Sequence, residues 1–299
     1  MLRSHGRYDY SGIVERADYA WPGGARLAVY LGINLEHFAF GEGLGAELAP
    51  GGPQPDVLNY AWRDWGNRVG AWRLIELLDD LCLPASMLVN SAMYAYAPSL
   101  LARIRARGDE IVGHGRSNSE RQSLLGEDEE RALIAEATAT ITAAEGRPPR
   151  GWLSPWIAES ANTPDLLAEA GYRYTLNWCM DDQPVWMRTR NGPLLSIPYP
   201  QETNDIPSII ARKDGAAQFA GIVIDTFDEM LVQSARQPLV MGVALHPYIV
   251  GQPHRLRHLR RALAHIAGHR GAIWLTSAGA IFDHIYSLPH GIVPGSEAL

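Results

Sequence analysis

Cysteine is scarce in this chain, with only Cys82 and Cys179 in 299 residues. Neither stands in a CxxC or Cys/His spacing, so a disulfide framework, a zinc knuckle and a dithiol redox centre are all excluded, and both residues read as reduced core or near-site positions. Runs of positive charge are also missing. With 26 basic against 33 acidic residues and a net charge of -7, nothing resembles a phosphate-binding stripe, and nucleic acid is not an expected partner. No stretch approaches the roughly 18 consecutive apolar residues of a membrane span, and the start, Met1 to Tyr10, has no apolar h-region. The expectation is a cytoplasmic protein without membrane contact. No short-period repeat suggests a solenoid. No serine or cysteine sits in a nucleophile elbow, which disfavours a covalent mechanism.

What is present is enough for one large core: 46% hydrophobic and 20% charged residues, an ordinary composition for a single α/β domain of this length. The domain is read as 1–299, with 1–25 as an N-terminal arm and 288–299 as a C-terminal tail. Arg26 to Ile33 has a buried-strand pattern. Residues 41–60 are rich in Gly and Pro and read as a surface loop, and Trp65 to Leu81 carries helical spacing. Further strands are expected at Pro84–Asn90, Glu110–Gly113, Gly151–Leu153, Tyr172–Leu176, Leu194–Tyr199, Leu239–Leu245 and Ala272–Leu275. Helices are expected at Ala97–Arg107, Glu127–Glu145, near Thr163–Ala170, Ala216–Ala235 and Arg255–Ala267, and from Ala278 to Tyr286. Such alternation predicts a parallel sheet, and the number of units suits a barrel of seven or eight. Polar residues follow the apolar runs: Asn34-Leu35-Glu36-His37, His114, Ser154-Pro155-Trp156, Asn177-Trp178 and His246. In a βα barrel the strand C-termini converge on one mouth, so groups this far apart in sequence can meet there.

The order of these segments resembles the polysaccharide deacetylase superfamily, carbohydrate esterase family four. The branch is similar to cofactor-independent allantoinases and peptidoglycan-deacetylase-like proteins, and the resemblance covers most of the chain. It implies a distorted (β/α)7 barrel and hydrolysis of a carbon–nitrogen bond that is not a peptide bond. The family's first motif pairs a general base with a metal ligand after strand one, which puts Glu36 in the place of the base and His37 in the place of the ligand. Its second motif is His-x3-His. Here Gly113-His114-Gly115-Arg116-Ser117-Asn118 keeps the first histidine and has Asn at the second position. A divalent metal, zinc or similar, would then be held by His37, His114 and Asn118; the same residues could instead form a metal-free hydrogen-bond network. No organic cofactor is implied.

The third family motif supplies an Arg that orients the base, and Leu153-Ser154-Pro155-Trp156 lacks it. Arg68 or Arg116 is the candidate replacement. Trp156 and Trp178 could stack on a sugar ring or a flat ureide. Asp181 or Asp182 could orient the catalytic histidine, and the run from Tyr199 to Asp205, including Glu202, offers polar groups to a substrate. The fifth motif, Leu-x-His, corresponds to Ala244-Leu245-His246, with Ala244 in place of the Leu. The imidazole of His246 would protonate a departing amine, since it titrates near neutral pH.

The mechanism implied is water addition to an amide-like carbonyl, with Glu36 as base and His246 as acid. The expected substrate is a small molecule or sugar carrying an N-acetyl group or a related amide. A metal-independent, allantoinase-like hydrolysis of a cyclic ureide stands as the alternative, and a non-catalytic carbohydrate-binding barrel or a purely structural subunit as others. The resemblance also implies a homo-oligomer.

Overall fold

A computed structural model describes residues 4–41 and 45–298. The ends of the expected arm and tail, and three residues of the expected surface loop, lie outside them. The longest strand, β1 (Leu27–Leu35), is buried along its whole length. Its side chains alternate, as any strand's must. Leu27, Val29, Leu31, Ile33 and Leu35 face the helical layer and join one cluster, whereas Ala28 and Tyr30 face inward and join another. Each fully buried aliphatic side chain of this kind contributes about 1.5–3 kcal/mol. The phase of β1 is therefore firmly set.

Around β1 the sheet curls into a distorted barrel. In chain order follow α1 (Val57–Trp65), α2 (Ala71–Asp80), β2 (Ser86–Val89), α3 (Met93–Tyr96), α4 (Pro98–Arg107), β3 (Glu110–Gly113) and α5 (Glu127–Glu145). Then come β4 (Gly151–Trp152), α6 (Thr163–Glu169), β5 (Tyr174–Thr175), β6 (Val185–Met187), β7 (Leu194–Ser196), α7 (Ala216–Gln233) and β8 (Leu239–Leu245). The series ends with α8 (Pro247–Val250), α9 (Pro253–Gly268), β9 (Trp274–Thr276) and α10 (Ala278–Ser287). Strands pair in the order β6-β7-β5-β4-β3-β2-β1-β8, with β9 also on β1. Strand β9 meets Ala28 to Tyr30 and β2 meets Gly32 to Leu35, so the two share one edge of β1. The far seam closes where the chain beyond β7 reaches β8: the Ala244 amide donates to the Thr203 carbonyl at 3.0 Å, with a parallel bridge from Asn204 to Ala244.

The expected α/β barrel is the fold observed, with two departures. No helix separates β5 from β7; instead β6 runs antiparallel to β7, and the βα alternation breaks there. The single helix expected from Trp65 to Leu81 is interrupted by a π-helical turn, Gly66–Gly70. A Cβ on Gly70 would lie 2.2 Å from the Pro247 carbonyl oxygen and one on Gly66 2.7 Å from the Tyr248 amide. These glycines let the helix press against the backbone that follows β8. Helix α5 has the bounds read from the sequence: four acidic residues in its first turn complement the helix dipole, and Gly146 ends it at φ 73°. Both cysteines are exposed rather than buried. Among the described residues no helix is long and apolar enough to cross a membrane.

Candidate active site

The inward phase of each strand selects the residue it carries into the mouth. On β1 the inward series from Ala28 and Tyr30 continues to Asn34 and Glu36. On β2 inward Leu88 is followed two residues later by Asn90, on β3 Val112 by His114, and on β8 Ala244 by His246. All five of these polar residues are buried. They meet in or beside a cavity of about 110 Å3 at the strand C-termini, lined also by Trp156, Ile157, Tyr199, Gln201, Asn204 and Tyr248.

Glu36 is the centre of the cluster. Its Oε1 accepts from Asn118 Nδ2 at 2.7 Å and stands 3.5 Å from both His114 Nε2 and His246 Nε2. Burial alone would push the carboxyl up, but the two histidines and their hydrogen bonds outweigh it and hold the group down at about 2. His246 is gripped on its other side by buried Asp205, which accepts from the imidazole Nδ1 at 2.6 Å and from the backbone amide at 2.8 Å. Burial works against the imidazolium, yet Asp205 and Glu36 overcome it and raise His246 to about 10. At neutral pH the pair is Glu36 carboxylate and His246 imidazolium.

His114 is oriented differently. Its Nδ1 lies 2.7 Å from the Leu153 carbonyl oxygen, which can only accept, so Nδ1 carries the proton and Nε2 is presented to Glu36. Two glycines place it. A Cβ on Gly113 would meet the Trp152 indole at 2.8 Å, and Gly115 takes φ +64°.

Asn118 turns its nitrogen, not its oxygen, toward the cluster, and a chain of bonds fixed at backbone groups sets this. The His37 amide, which can only donate, gives its hydrogen to Asn90 Oδ1 at 2.8 Å. Asn90 Nδ2 must then face the other way, where it donates to the His114 carbonyl and, at 2.9 Å, to Asn118 Oδ1. With its oxygen engaged, Asn118 has only its amide hydrogens left for Glu36. Asn90 was not singled out from the sequence, although it ends the apolar run of β2.

The ligand set His37, His114 and Asn118 is thus not assembled. His37 follows Glu36 and falls in the opposite strand phase. Its ring packs edge-on against Tyr96 at 5.1 Å and lines a separate small cavity with Tyr60, Asp64 and Asn67. Burial lowers its pKa. Asn118 offers a donor where a ligand must offer a lone pair. Among the described residues no group of three or more His, Cys, Asp or Glu side chains could hold a metal ion. The donor set does not fit a divalent cation.

Other expected site residues lie elsewhere. Arg68 pairs with Asp64 at 2.5 Å, and Arg116 with Glu120 and Glu136 at 2.6 Å each; neither orients Glu36. Their place is taken by Asn118. Asp181 is held by Arg16 at 2.6 Å, and the histidine's acidic partner is Asp205, which the sequence had offered only as a polar group for substrate. Glu202 is exposed and bound to Arg212 at 2.8 Å. Trp178 donates to Glu159 at 2.6 Å and packs on Tyr8, away from the cavity. Trp156 does line the cavity, with Trp156 and Ile157 both at positive φ, 62° and 53°, a conformation that costs energy in residues other than glycine. Asn177 clamps that loop: its Oδ1 accepts from the Ser154 amide at 2.8 Å and its Nδ2 donates to Glu159 at 2.6 Å.

Comparison with known proteins agrees with this architecture. The model of the polysaccharide deacetylase family matches residues 60–175. Residues 60–175 carry a polysaccharide deacetylase domain, and the deacetylases of that family are hydrolases. A peptidoglycan deacetylase of Helicobacter pylori is 22% identical over 244 residues, 71% of this chain and 82% of that protein. The crystal structure of Puue allantoinase superposes with a TM-score of 0.78 at 25% identity, covering 89% of this chain and 92% of that one. A probable polysaccharide deacetylase from Pseudomonas aeruginosa PAO1 superposes at 0.77, with 25% identity and coverage of 89% and 93%.

Proposed function

We propose that this polysaccharide deacetylase-family protein hydrolyses a small amide or cyclic ureide without a metal, using Glu36 as base and His246 as acid. The observation that carries the reading is the direction of Asn118, whose Nδ2 gives a hydrogen to Glu36 where a cation would need an oxygen. The similarity to an allantoinase supports a ureide. So does the cavity of about 110 Å3, small beside the roughly 300–1,000 Å3 of drug-sized sites.

One acceptor faces the space where water would stand: Glu36 Oε2, buried and without a hydrogen bond of full geometry among the described residues. A water donating to it would direct a lone pair at the substrate carbon. Glu36 takes one water proton as the oxygen–carbon bond forms. His246 gives its Nε2 proton to the nitrogen as the carbon–nitrogen bond breaks. The proton then returns from Glu36 to His246 across the 3.5 Å between them. Each charge supports the other, so when Glu36 is protonated His246 becomes the stronger acid. Asp205 holds the imidazole in place throughout.

An N-acetyl sugar as substrate is the second candidate, favoured by Trp156, which is 39% exposed at the cavity wall and could carry a sugar ring outside while the acetyl group enters. Turnover of allantoin, hydantoin, N-acetylglucosamine and chitin oligomers by chelator-treated protein tests the proposal. Ureide hydrolysis is expected; activity on chitin oligomers alone would replace the first reading with the second.

A further inference from the structure

We infer that Tyr248 is a further catalytic residue of this site, its phenolic hydroxyl donating to the carbonyl oxygen of the substrate as negative charge develops there. Water addition puts that charge on an oxygen for which neither Glu36, the base, nor His246, the acid, supplies a dedicated donor. A donor aimed at this position is among the largest single contributions to such reactions.

Tyr248 follows His246 by two residues and lines the same cavity as Glu36 and His114. It is 3% exposed. Its hydroxyl is buried and makes no hydrogen bond of full geometry among the described residues, although the Glu36 carboxylate is near enough to act on it. A buried hydroxyl without a partner costs stability. It stands in one cavity with the acceptor Glu36 Oε2, which makes no hydrogen bond of full geometry among the described residues, so the set is complementary to water plus a carbonyl. The carboxylate oxygen matches a water hydrogen and the hydroxyl matches the carbonyl oxygen.

Its neighbours fix the ring. Trp62 meets it edge-on at 4.9 Å and 78°, Phe38 at 6.1 Å and 88°, and the His246 ring lies 5.8 Å away. Gly66 packs against its backbone, where a Cβ would come within 2.7 Å of the Tyr248 amide. The donor is therefore held before substrate arrives and needs little reorganisation. Burial, then the charges of Glu36 and Asp205 and the approach of the hydroxyl to Glu36, push the phenol well above its ordinary range. The proton stays on the oxygen.

The role rests on the proposed hydrolysis, and Tyr248→Phe tests it with allantoin and N-acetylglucosamine as substrates. Loss of one such donor lowers kcat by about 10²–10³-fold, with KM changed by less than about threefold because the bond strengthens in the transition state. Since the hydroxyl makes no full hydrogen bond among the described residues, the phenylalanine variant should melt within a few degrees of wild type. An active wild type with an equally active Tyr248→Phe variant overturns the role alone. So does a fall in Tm that accounts for the lost activity. A wild type inactive on both substrates overturns the functional reading and the role with it.

Discussion

Two glutamates near the strand C-termini of this barrel are driven in opposite directions. Glu36, on the β1 and β8 side, is held down at about 2, while Glu159, on the β4 and β5 side, is raised to about 7. For both, burial is the largest single influence, and it acts upward. The difference lies in the partners. Glu36 faces two histidines, one of them locked in its cationic form by Asp205. Among the described residues Glu159 receives hydrogen bonds only from neutral donors, the Asn177 amide and the Trp178 indole, at 2.6 Å each. Hydrogen bonds of that kind reduce the burial cost without cancelling it. The side with opposite charges stores an acid and a base; the other side holds a loop in shape.

Breaking the charged side should have the largest effect. Glu36→Gln keeps the volume and a hydrogen-bonding group but removes the base, so kcat should fall by about 10²–10⁴-fold with the fold retained. The same change removes one of the charges that raise His246, whose NMR-monitored titration should move down from about 10. An unchanged kcat would contradict Glu36 as base.

Asp205→Asn should have the next largest effect. Wild-type stability from Glu36 is present above about 4.5 and lost as pH falls toward about 2. That from His246 is present in full below about 6.5 and lost as pH rises through about 10. The charged pair therefore persists through neutral pH, and activity should show no inflection from His246 near 6.5. In Asp205→Asn the alkaline limb of the kcat profile should move toward neutrality; a limb that stays put would show that Asp205 does not hold the imidazolium.

Asn90→Ala tests the relay that turns Asn118. Removing a buried amide that satisfies the His37 amide, the His114 carbonyl and Asn118 should cost about 1–3 kcal/mol per group left unpaired, read as a lower denaturation midpoint. A neutral result would mean that Asn118 is oriented by something else.

The smallest effect sharpens the comparison from the other side. Glu159 has a raised folded value, so its contribution to stability declines as pH rises from about 4.5 to about 7 and stays reduced above that. Glu159→Gln should remove this decline, gaining about 1–3 kcal/mol relative to wild type at pH 9 while changing little at pH 5. Equal gains at both pH values would show that Glu159 is ionised throughout.

How much of this was legible in the sequence follows from strand phase. The α/β barrel and most of its elements are readable from alternation of apolar runs and helical spacing, and Glu36, His114 and His246 stand at strand ends where chemistry is expected. The same phase argument would have excluded His37, because Glu36 continues the inward series of β1 and its successor must face the helices. Asn90 was within reach too, two residues beyond inward Leu88. Asp205 was harder. It reaches His246 only because the irregular chain after β7 closes the barrel against β8 through Thr203 and Asn204, a long-range pairing with no local signal. The antiparallel β6 was missed for a related reason: three residues pairing with β7 carry too little periodicity to announce a strand. The direction of Asn118 could not be read at all, since it depends on a relay that joins four segments.

The most direct measurement is the metal content of purified protein, followed by hydrolysis of allantoin and N-acetylglucosamine before and after exhaustive chelation. An acid–base pair of Glu36 and His246 without a cation predicts full activity in chelated, metal-free protein. A stoichiometric ion whose removal abolishes turnover, and whose return restores it, would contradict that account and require Asn118 to turn its oxygen into the site.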